Sequence, residues 1–141
     1  MNHLRVMIEK NNTNIDASLW NSYSNSFFHF DSEWNVLNYV VITAWNPWSK
    51  LRSKQDNCIN NQELEKYLQH ANYVSVTVGD SGFKWYEESF AVEISIDEAI
   101  SLANEFQQHA IYYVTRGELY LIACTEPNKK HHIGEIRDRL V

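Results

Sequence analysis

The sequence predicts a single α+β domain, in which a mainly antiparallel or mixed sheet of about five to six strands is covered by three helices. Three observations lead to this prediction. The 141 residues, 44% of them hydrophobic, suffice for one compact core. The chain contains no internal repeat and no linker rich in proline, glycine or serine. Its periodic segments follow the order α-β-β-α-β-β-α-β-β, and paired strands between helices favour hairpins.

The first helix and the first two strands are predicted in residues 16–45. Asp16 can cap a short helix whose apolar face carries a leucine and two aromatic residues. The phenylalanine-rich residues 27–30 then indicate a strand. Residues 37–45 form the next strand, and because they are apolar nearly throughout, we expect both faces of this strand to be covered.

The second helix begins at Ser53 with a capping box and is expected to run to about Ala71. Residues 73–78 predict a third strand, which stops at a turn of glycine, aspartate and serine in residues 79–82. Residues 83–94 supply one or two further extended segments.

The third helix and the last hairpin complete the pattern. Ser95 begins a second capping box, after which apolar residues recur at helical spacing up to Phe106. Two strands, residues 110–114 and 118–124, flank Arg116-Gly117 and predict a tight antiparallel hairpin.

The two ends of the chain lack such a pattern. Residues 1–13 mix charges with an asparagine-rich cluster and are predicted to be a flexible N-terminal segment. Residues 14–126 form the predicted single domain, and residues 127–141 are predicted to be a polar C-terminal tail.

The composition bears on partners and location. A formal net charge of -6 leaves no excess of Lys or Arg to neutralise a phosphate backbone, so nucleic acid ranks low as a partner. No apolar run approaches the roughly 20 residues that span a bilayer, and we see no secretory signal. Cys58 and Cys124 lie far apart, each beside an aliphatic residue, which indicates reduced, partly buried thiols and a cytoplasmic protein.

The polar segment after the second strand carries the first candidate site. Asn46-Pro47 ends the strand, because proline cannot donate to a strand ladder and asparagine bonds its own backbone. In the next helix four residues share one face: Asn57, Asn61, Leu64 and Leu68. The leucines make that face the buried one, so two amides are directed inward close to the strand end.

Two interpretations of this cluster remain open. In the first, the polar side chains of the cluster form hydrogen bonds with one another and with the loop backbone, as buried polar groups normally do. The side chains concerned are those of Thr43, Asn46, Ser49, Asn57 and Asn61. In the second, they line a pocket where free N–H groups and the helix dipole favour an anion or a carbonyl oxygen. A buried amide without partners costs on the order of 1 to 3 kcal/mol, so the protein or a ligand must supply its hydrogen bonds.

Residues 82–90, GFKWYEESF, form a second polar segment. Strand alternation places Trp85, Glu87 and Ser89 on one face and Glu88 on the other. Apolar surroundings beside Trp85 would raise the pKa of Glu87, as a general acid requires. The alternative is that both glutamates are solvated on an edge strand.

Motifs for metal ions, nucleotides and serine hydrolases are absent from the sequence. The six histidines are scattered and none has a metal-binding spacing. We therefore expect no metal site and no cofactor, and catalytic residues stay unassigned, although many active sites have no local motif.

Several segments resemble the bacterial family called domain of unknown function 3293 (DUF3293). They are ITAWNPWS at 42–49, Asn57 and Asn61 in the following helix, WYEESF at 85–90, and LANEFQQHAI at 102–111. The family pattern has ITAxNPxS, a helix bearing asparagines, WxEPSF, and a helix ending in FGQ. Two residues depart from it: Glu88 replaces a usual proline, which argues against a rigid turn there, and Gln107 replaces a common glycine, which argues against a left-handed helix cap.

The resemblance implies a small bacterial intracellular protein and assigns no function. It also implies that its motif residues meet in space. Together with the two polar segments, it defines a candidate ligand-binding set: Thr43, Asn46, Ser49, Asn57, Asn61, Trp85, Glu87, Ser89 and Gln108.

Three hypotheses of function follow. The first is a non-enzymatic binding or regulatory module that recognises a partner protein or a small polar ligand through the Asn, Gln and Trp residues of this set. The second is a small hydrolase or transferase with Glu87 as general acid or base, which requires Glu87 and Asn46 to line one cavity. A single-stranded nucleic-acid binder that stacks bases on its aromatic residues ranks last.

Overall fold

The structure is a computed structural model that describes residues 16–141, in which three α-helices pack on one seven-stranded antiparallel sheet. The helices are α1 (Ala17–Ser24), α2 (Lys54–Lys66) and α3 (Ile96–Glu105). The strands are β1 (Phe27–Phe30), β2 (Asn38–Ile42), β3 (Tyr73–Gly79), β4 (Tyr86–Val92), β5 (Ala110–Thr115), β6 (Glu118–Ala123) and β7 (Lys130–Glu135). Their order in the sheet is β1-β3-β4-β2-β5-β6-β7.

The predicted α+β class is confirmed, but the predicted number of strands is wrong, because the sheet has seven rather than five or six. The additional strand, β7, lies within residues 127–141, where we predicted a polar tail, and it pairs with β6. Its residues are exposed or half-buried, so no apolar alternation marked it as a strand. The predicted flexible segment, residues 1–13, lies outside the described residues.

A side chain caps the start of each helix. Asp16, Ser53 and Ser95 each accept a hydrogen bond from the backbone N–H three residues further along the chain. Each of these bonds satisfies an N–H that has no partner inside its helix. α2 ends at Lys66 rather than near Ala71, and the chain continues in turns to the start of β3.

α3 ends in a left-handed cap. Gln107 has a φ of 59°, and its N–H donates to the carbonyl of Asn104 at 3.2 Å. The N–H of Gln108 donates to the carbonyl of Ala103 at 2.8 Å, which completes a Schellman motif. Our expectation that glutamine would prevent this cap is therefore wrong.

The sheet separates two apolar cores. The first lies between the sheet and the helices α2 and α3, and includes Val40, Ile42, Phe90, Leu64 and Leu102. The second lies on the opposite face, where α1 packs, and includes Tyr39, Val41, Ala91 and Tyr112 with the half-buried Trp20 and Tyr23. Because side chains alternate along β4, Glu87 and Ser89 share the second face with Ala91.

The C-terminal residues return to the first strand. Leu140 forms a parallel bridge with Phe28, and the N–H of Val141 donates to the carbonyl of Phe28 at 3.0 Å. Arg139 donates from Nη1 to the carbonyl of Ser26 at 2.9 Å. These bonds connect the chain beyond β7 to β1, at the other end of the strand order, so the sheet is curled. None of the helices in residues 16–141 is long and apolar enough to cross a membrane.

Candidate functional site

The loop after β2 has an unusual backbone. Three of its residues have positive φ angles: Asn46 at 47°, Trp48 at 55° and Ser49 at 59°. Residues other than glycine seldom adopt such angles, and they cost on the order of 1–3 kcal/mol each unless the surroundings enforce them. The N–H of Trp48 is held by the carbonyl of Gln107 at 2.7 Å, and the N–H of Ser49 by the carbonyl of Asn46 at 2.7 Å. Strain of this kind collects at functional sites.

Three buried asparagines, which we call the amide cluster, hold this loop: Asn46, Asn57 and Asn61. Asn57 Oδ1 accepts from the backbone N–H of Asn46 at 2.8 Å, and Asn57 Nδ2 donates to Asn46 Oδ1 at 3.0 Å. Asn46 Oδ1 also accepts from the N–H of Arg52 at 3.0 Å. Asn57 and Asn61 point into the protein from α2, as the helical spacing predicts.

Asn61 joins the segment that follows β2 to the neighbouring strand β4. Its Oδ1 accepts from the N–H of Ala44 at 2.9 Å, and its Nδ2 donates to the carbonyl of Glu88 at 2.9 Å. Thr43 Oγ1 donates to the same carbonyl at 2.6 Å and accepts from the N–H of Trp45 at 3.1 Å. Glu88 itself pairs with Thr77 in the ladder between β3 and β4, so the chain is a regular strand where the family pattern has proline.

Gln108 fixes the loop from the side of α3. Its Nε2 donates to the carbonyl of Trp45 at 2.9 Å and to that of Phe106 at 3.2 Å. The amides of the predicted set thus find their partners inside the protein, in accord with the first of our two interpretations. Their predicted role in binding a ligand stays a prediction.

Glu87 is the buried acid of the site. β4 lies between β3 and β2, so the alternative interpretation of Glu87 and Glu88 on an edge strand is wrong. Glu87 is only 7% exposed. Its Oε2 accepts from Asn46 Nδ2 at 3.0 Å, whereas its Oε1 has no hydrogen-bond donor among the described residues. Burial raises the pKa of Glu87 from 4.5 to about 7, and the bond from Asn46 opposes that shift.

Glu87 lies in the wall between two cavities. The outer pocket, of about 530 Å³, lies between α1, the loop after β2 and the β3–β4 turn. Its polar and aromatic lining includes Tyr23, Asn46, Ser49, Asp80, Trp85 and Glu87. The inner cavity, of about 20 Å³, has room for one water molecule. Its polar lining comprises Tyr23, Thr43, Glu87, Ser89, Gln108, His109 and Tyr112.

Ser49 connects α1 to the start of β5. Its Oγ lies 2.8 Å from the hydroxyl of Tyr23 and 2.8 Å from Nδ1 of the buried His109. The ring of His109 also contacts the ring of Trp48, with centroids 5.2 Å apart. Burial, and next the charge of Glu87, raises the pKa of Tyr23, so its phenol is protonated at neutral pH.

The remaining predicted residues lie at the edges of the site. The half-buried Trp85 lines the outer pocket, where its ring centroid is 5.8 Å from that of Tyr23. Ser89 lines the inner cavity and donates its hydroxyl to the carbonyl of Glu87 at 3.1 Å. All nine residues of the predicted set therefore lie in one region, although Asn57 and Asn61 line neither cavity.

Four further residues belong to the site and were not predicted: Tyr23, Asp80, His109 and Tyr112. His109 directly follows Gln108, and that adjacency was a usable signal. Tyr23 is one of the two aromatic residues that we placed on the apolar face of the first helix, and Asp80 is the aspartate of the turn predicted in residues 79–82. Asp80 does hold that turn, by accepting from the N–H groups of Lys84 at 2.9 Å and Trp85 at 3.2 Å. Tyr112 donates to the carbonyl of Tyr23 at 3.0 Å, a contact across 89 positions that no local pattern indicates.

Residues 16–141 hold no group of three or more His, Cys, Asp or Glu side chains that could bind a metal ion. Cys124 is buried, and its burial raises the pKa of the thiol to about 12. Cys58 is exposed, so the prediction of a partly buried thiol is wrong at that position. Both cysteines are free.

The fold and the site define a small α+β protein with a buried carboxyl group at the wall of a pocket. Among known families, the model described as "Protein of unknown function (DUF3293)" matches residues 42–111, and through this segment the chain belongs to that family. The match contains the amide cluster, Glu87 and His109, whereas Tyr23 of α1 lies outside it. Neither the curated proteins nor the solved structures contain a match.

Proposed function

We propose that this protein is a non-enzymatic binding module that recognises a small polar ligand in the outer pocket. The observation that supports the proposal most is Glu87, which lines a ligand-sized pocket and whose buried carboxyl group has one oxygen, Oε1, with no donor among residues 16–141. A buried acid of this kind destabilises the fold when it ionises, so stability alone does not account for it. A bound polar group would supply the missing hydrogen bond.

The proposal divides the predicted residues by role. Glu87, Ser49 and Trp85 line the outer pocket and would contact the ligand. Asn46 lines it as well and holds the Glu87 carboxyl group through Nδ2. Asn57 and Asn61 position the loop through their internal bonds. A partner protein that inserts one polar side chain into the pocket would use the same contacts.

The proposed setting is the cytoplasm of a bacterium. The exposed, free thiol of Cys58 supports a reducing compartment, and the acidic composition argues against a nucleic-acid partner. The bacterial source is what the family resemblance implies.

A pair of matched variants tests the proposal. Ser22 and Ser18 are both exposed residues of α1, and Ser22 lines the outer pocket whereas Ser18 does not. In a screen of small polar molecules, we expect ligand-induced changes in the NMR signals of Trp85 and Glu87. Ser22→Trp should abolish these changes by filling the pocket, and Ser18→Trp should preserve them. The proposal fails if no compound perturbs these signals, or if binding survives in Ser22→Trp.

The second candidate is a hydrolase or transferase in which Glu87 is the general acid or base. Two observations favour it: the pKa of Glu87 is raised to about 7, where one group can both accept and release a proton, and Ser49 Oγ lies 2.8 Å from His109 Nδ1. The geometric condition that this hypothesis sets is fulfilled, because Glu87 and Asn46 line the same pocket.

A screen with ester, amide and glycoside substrates tests this candidate. If the protein is such an enzyme, turnover should change with a midpoint near pH 7 and should vanish in Glu87→Gln. Activity that survives this substitution would remove Glu87 from the reaction, and the absence of turnover on all three substrate classes would count against the candidate.

A further inference from the structure

The charge of the outer pocket indicates the charge of its ligand. Among the described residues that line the pocket are the carboxyl groups of Asp80 and Glu87, but no lysine, arginine or histidine. A pocket with acidic groups and no basic group attracts cations and repels anions. Both oxygens of Asp80 already accept hydrogen bonds from the backbone, so the charge of this carboxylate is fixed in place.

The aromatic lining of the pocket also favours a cation. The rings of Tyr23 and Trp85 are 5.8 Å apart, tilted by 44°, and both line the pocket. The face of an aromatic ring carries partial negative charge, and it attracts an ammonium or guanidinium group within about 6 Å. Leu19 and Leu51 add apolar wall, which suits an organic ligand rather than a bare ion.

Glu87 provides the hydrogen-bond acceptor. When this carboxyl group ionises, Asn46 supplies one donor to Oε2, and Oε1 has none among the described residues. A buried carboxylate needs a donor or an opposite charge, and a protonated amine supplies both. Neighbouring hydroxyls are already engaged, since that of Tyr23 contacts Ser49 and that of Tyr112 contacts Ser26.

We propose that the outer pocket binds a small organic cation, a protonated amine or guanidinium group attached to an apolar body, with the cation against Glu87 Oε1 and the rings of Tyr23 and Trp85. This inference rests on the proposed function, because it names the class of ligand that the binding module takes.

The binding of such a cation depends on pH. Groups that face Glu87 from the elements packed against it are Tyr23 of α1, Tyr112 and His109 at β5, and Asp80 of the β3–β4 turn. The cation binds the ionised carboxylate, so its apparent affinity rises as Glu87 loses its proton around pH 7. Affinity should increase about tenfold between pH 6 and pH 8 and change little above that.

The experiment compares three probes of similar size and different charge: benzylamine, benzyl alcohol and benzoate. Binding of each is measured by NMR titration of the Trp85 indole signal at pH 6 and pH 8. We expect benzylamine to bind at least tenfold more tightly than the other two at pH 8. Glu87→Gln should remove this preference and its pH dependence. Glu93→Gln, the same substitution at an exposed residue beyond the other end of β4, should leave both unchanged.

The outcomes separate this inference from the proposed function. If benzyl alcohol or benzoate binds as tightly as benzylamine, or if Glu87→Gln binds benzylamine as well as the unmodified protein does, the cation inference is wrong and the binding module stands. If none of the three probes perturbs Trp85, the cation inference is overturned, and the broader screen of polar molecules then decides the proposed function separately.

Discussion

At the scale of single residues, the site consists of one buried acid and the amides that surround it. Asn46 bonds Glu87, and Asn57 bonds Asn46 through both its side-chain oxygen and its side-chain nitrogen. Each amide therefore fixes the next, and the chain of contacts ends at a carboxyl group whose pKa is raised by burial to about 7. The amides use their hydrogen bonds internally, whereas Glu87 retains an oxygen that can accept another.

The raised pKa of Glu87 makes stability depend on pH. A carboxyl group with a raised pKa in the folded state favours folding when protonated, so this contribution is complete below the ordinary value of 4.5 and is lost as the pH rises through about 7. Relative to Glu87→Gln, the free energy of unfolding should fall by on the order of 2–3 kcal/mol between pH 5 and pH 8. Urea unfolding of the unmodified protein and of Glu87→Gln between pH 5 and pH 8 measures this change. If the difference in the free energy of unfolding between the two proteins stays constant with pH, the pKa of Glu87 is not raised.

Asn61 gives a second prediction at this scale. Asn61→Ala removes the side-chain oxygen that accepts from the N–H of Ala44. It also removes one of the two side-chain donors to the carbonyl of Glu88, the other being Thr43. We expect it to lower the free energy of unfolding by about 2–4 kcal/mol, because buried polar groups lose their partners. Asn60→Ala changes a neighbouring residue of α2 that makes no such bonds, and it should alter stability by less than about 0.5 kcal/mol. Equal effects of the two substitutions would refute the bridging role of Asn61.

At the scale of secondary-structure elements, the end of α3 supports the strained loop after β2. Gln107 adopts a left-handed conformation to close α3, and its carbonyl accepts the N–H of Trp48, which is left-handed too. Gln108 then reaches from the same cap to the carbonyl of Trp45. The helix end and the loop therefore depend on each other, which is how two distant motifs of the family meet.

Replacement of Gln107 by glycine tests this cap. Glycine adopts a positive φ without the steric penalty of a side chain, so Gln107→Gly should stabilise the protein by about 1 kcal/mol. Ser101→Gly, in the helical part of α3, should instead destabilise it by about 0.5 kcal/mol. Thermal unfolding of both variants measures whether stability rises in Gln107→Gly and falls in Ser101→Gly. A loss of stability in Gln107→Gly would show that the left-handed cap is absent.

At the scale of the whole molecule, the C-terminal residues connect the last part of the chain to its first strand. Arg139 donates to the carbonyl of Ser26, just before β1, and to that of Ile133 in β7. Ser26 in turn contacts the hydroxyl of Tyr112, whose hydroxyl reaches the carbonyl of Tyr23. Closure of the sheet thus contributes to holding α1 over the outer pocket.

Two arginines near the C-terminus test this closure. Arg139→Ala leaves two part-buried carbonyls without this donor, and we expect it to lower the free energy of unfolding by about 2–3 kcal/mol. Within the described part of the chain, Arg137 makes only an exposed ion pair with Glu135, so Arg137→Ala should cost less than about 1 kcal/mol. Chemical denaturation distinguishes them, and similar losses in both variants would mean that the C-terminal segment does not hold the sheet.

The sequence predicted what local patterns control. Helix caps at Asp16, Ser53 and Ser95 and the hairpin at Arg116-Gly117 follow from residue chemistry at short range, and the inward direction of Asn57 and Asn61 follows from helical spacing.

Long-range pairing was beyond such patterns. β7 is a strand because it pairs with β6, although its own sequence has no apolar alternation. The central position of β4, which buries Glu87, is set by the strand order of the sheet. The contributions of Tyr23 and Tyr112 to the site likewise depend on contacts between distant segments.

The most direct test of the central claim, that Glu87 is a buried acid at the wall of the outer pocket, is an NMR titration of its side-chain carboxyl carbon, with the resonance assigned through Glu87→Gln. The account predicts a titration midpoint near pH 7. A midpoint near the ordinary value of 4.5 would mean that water reaches the carboxyl group freely, and it would contradict the account.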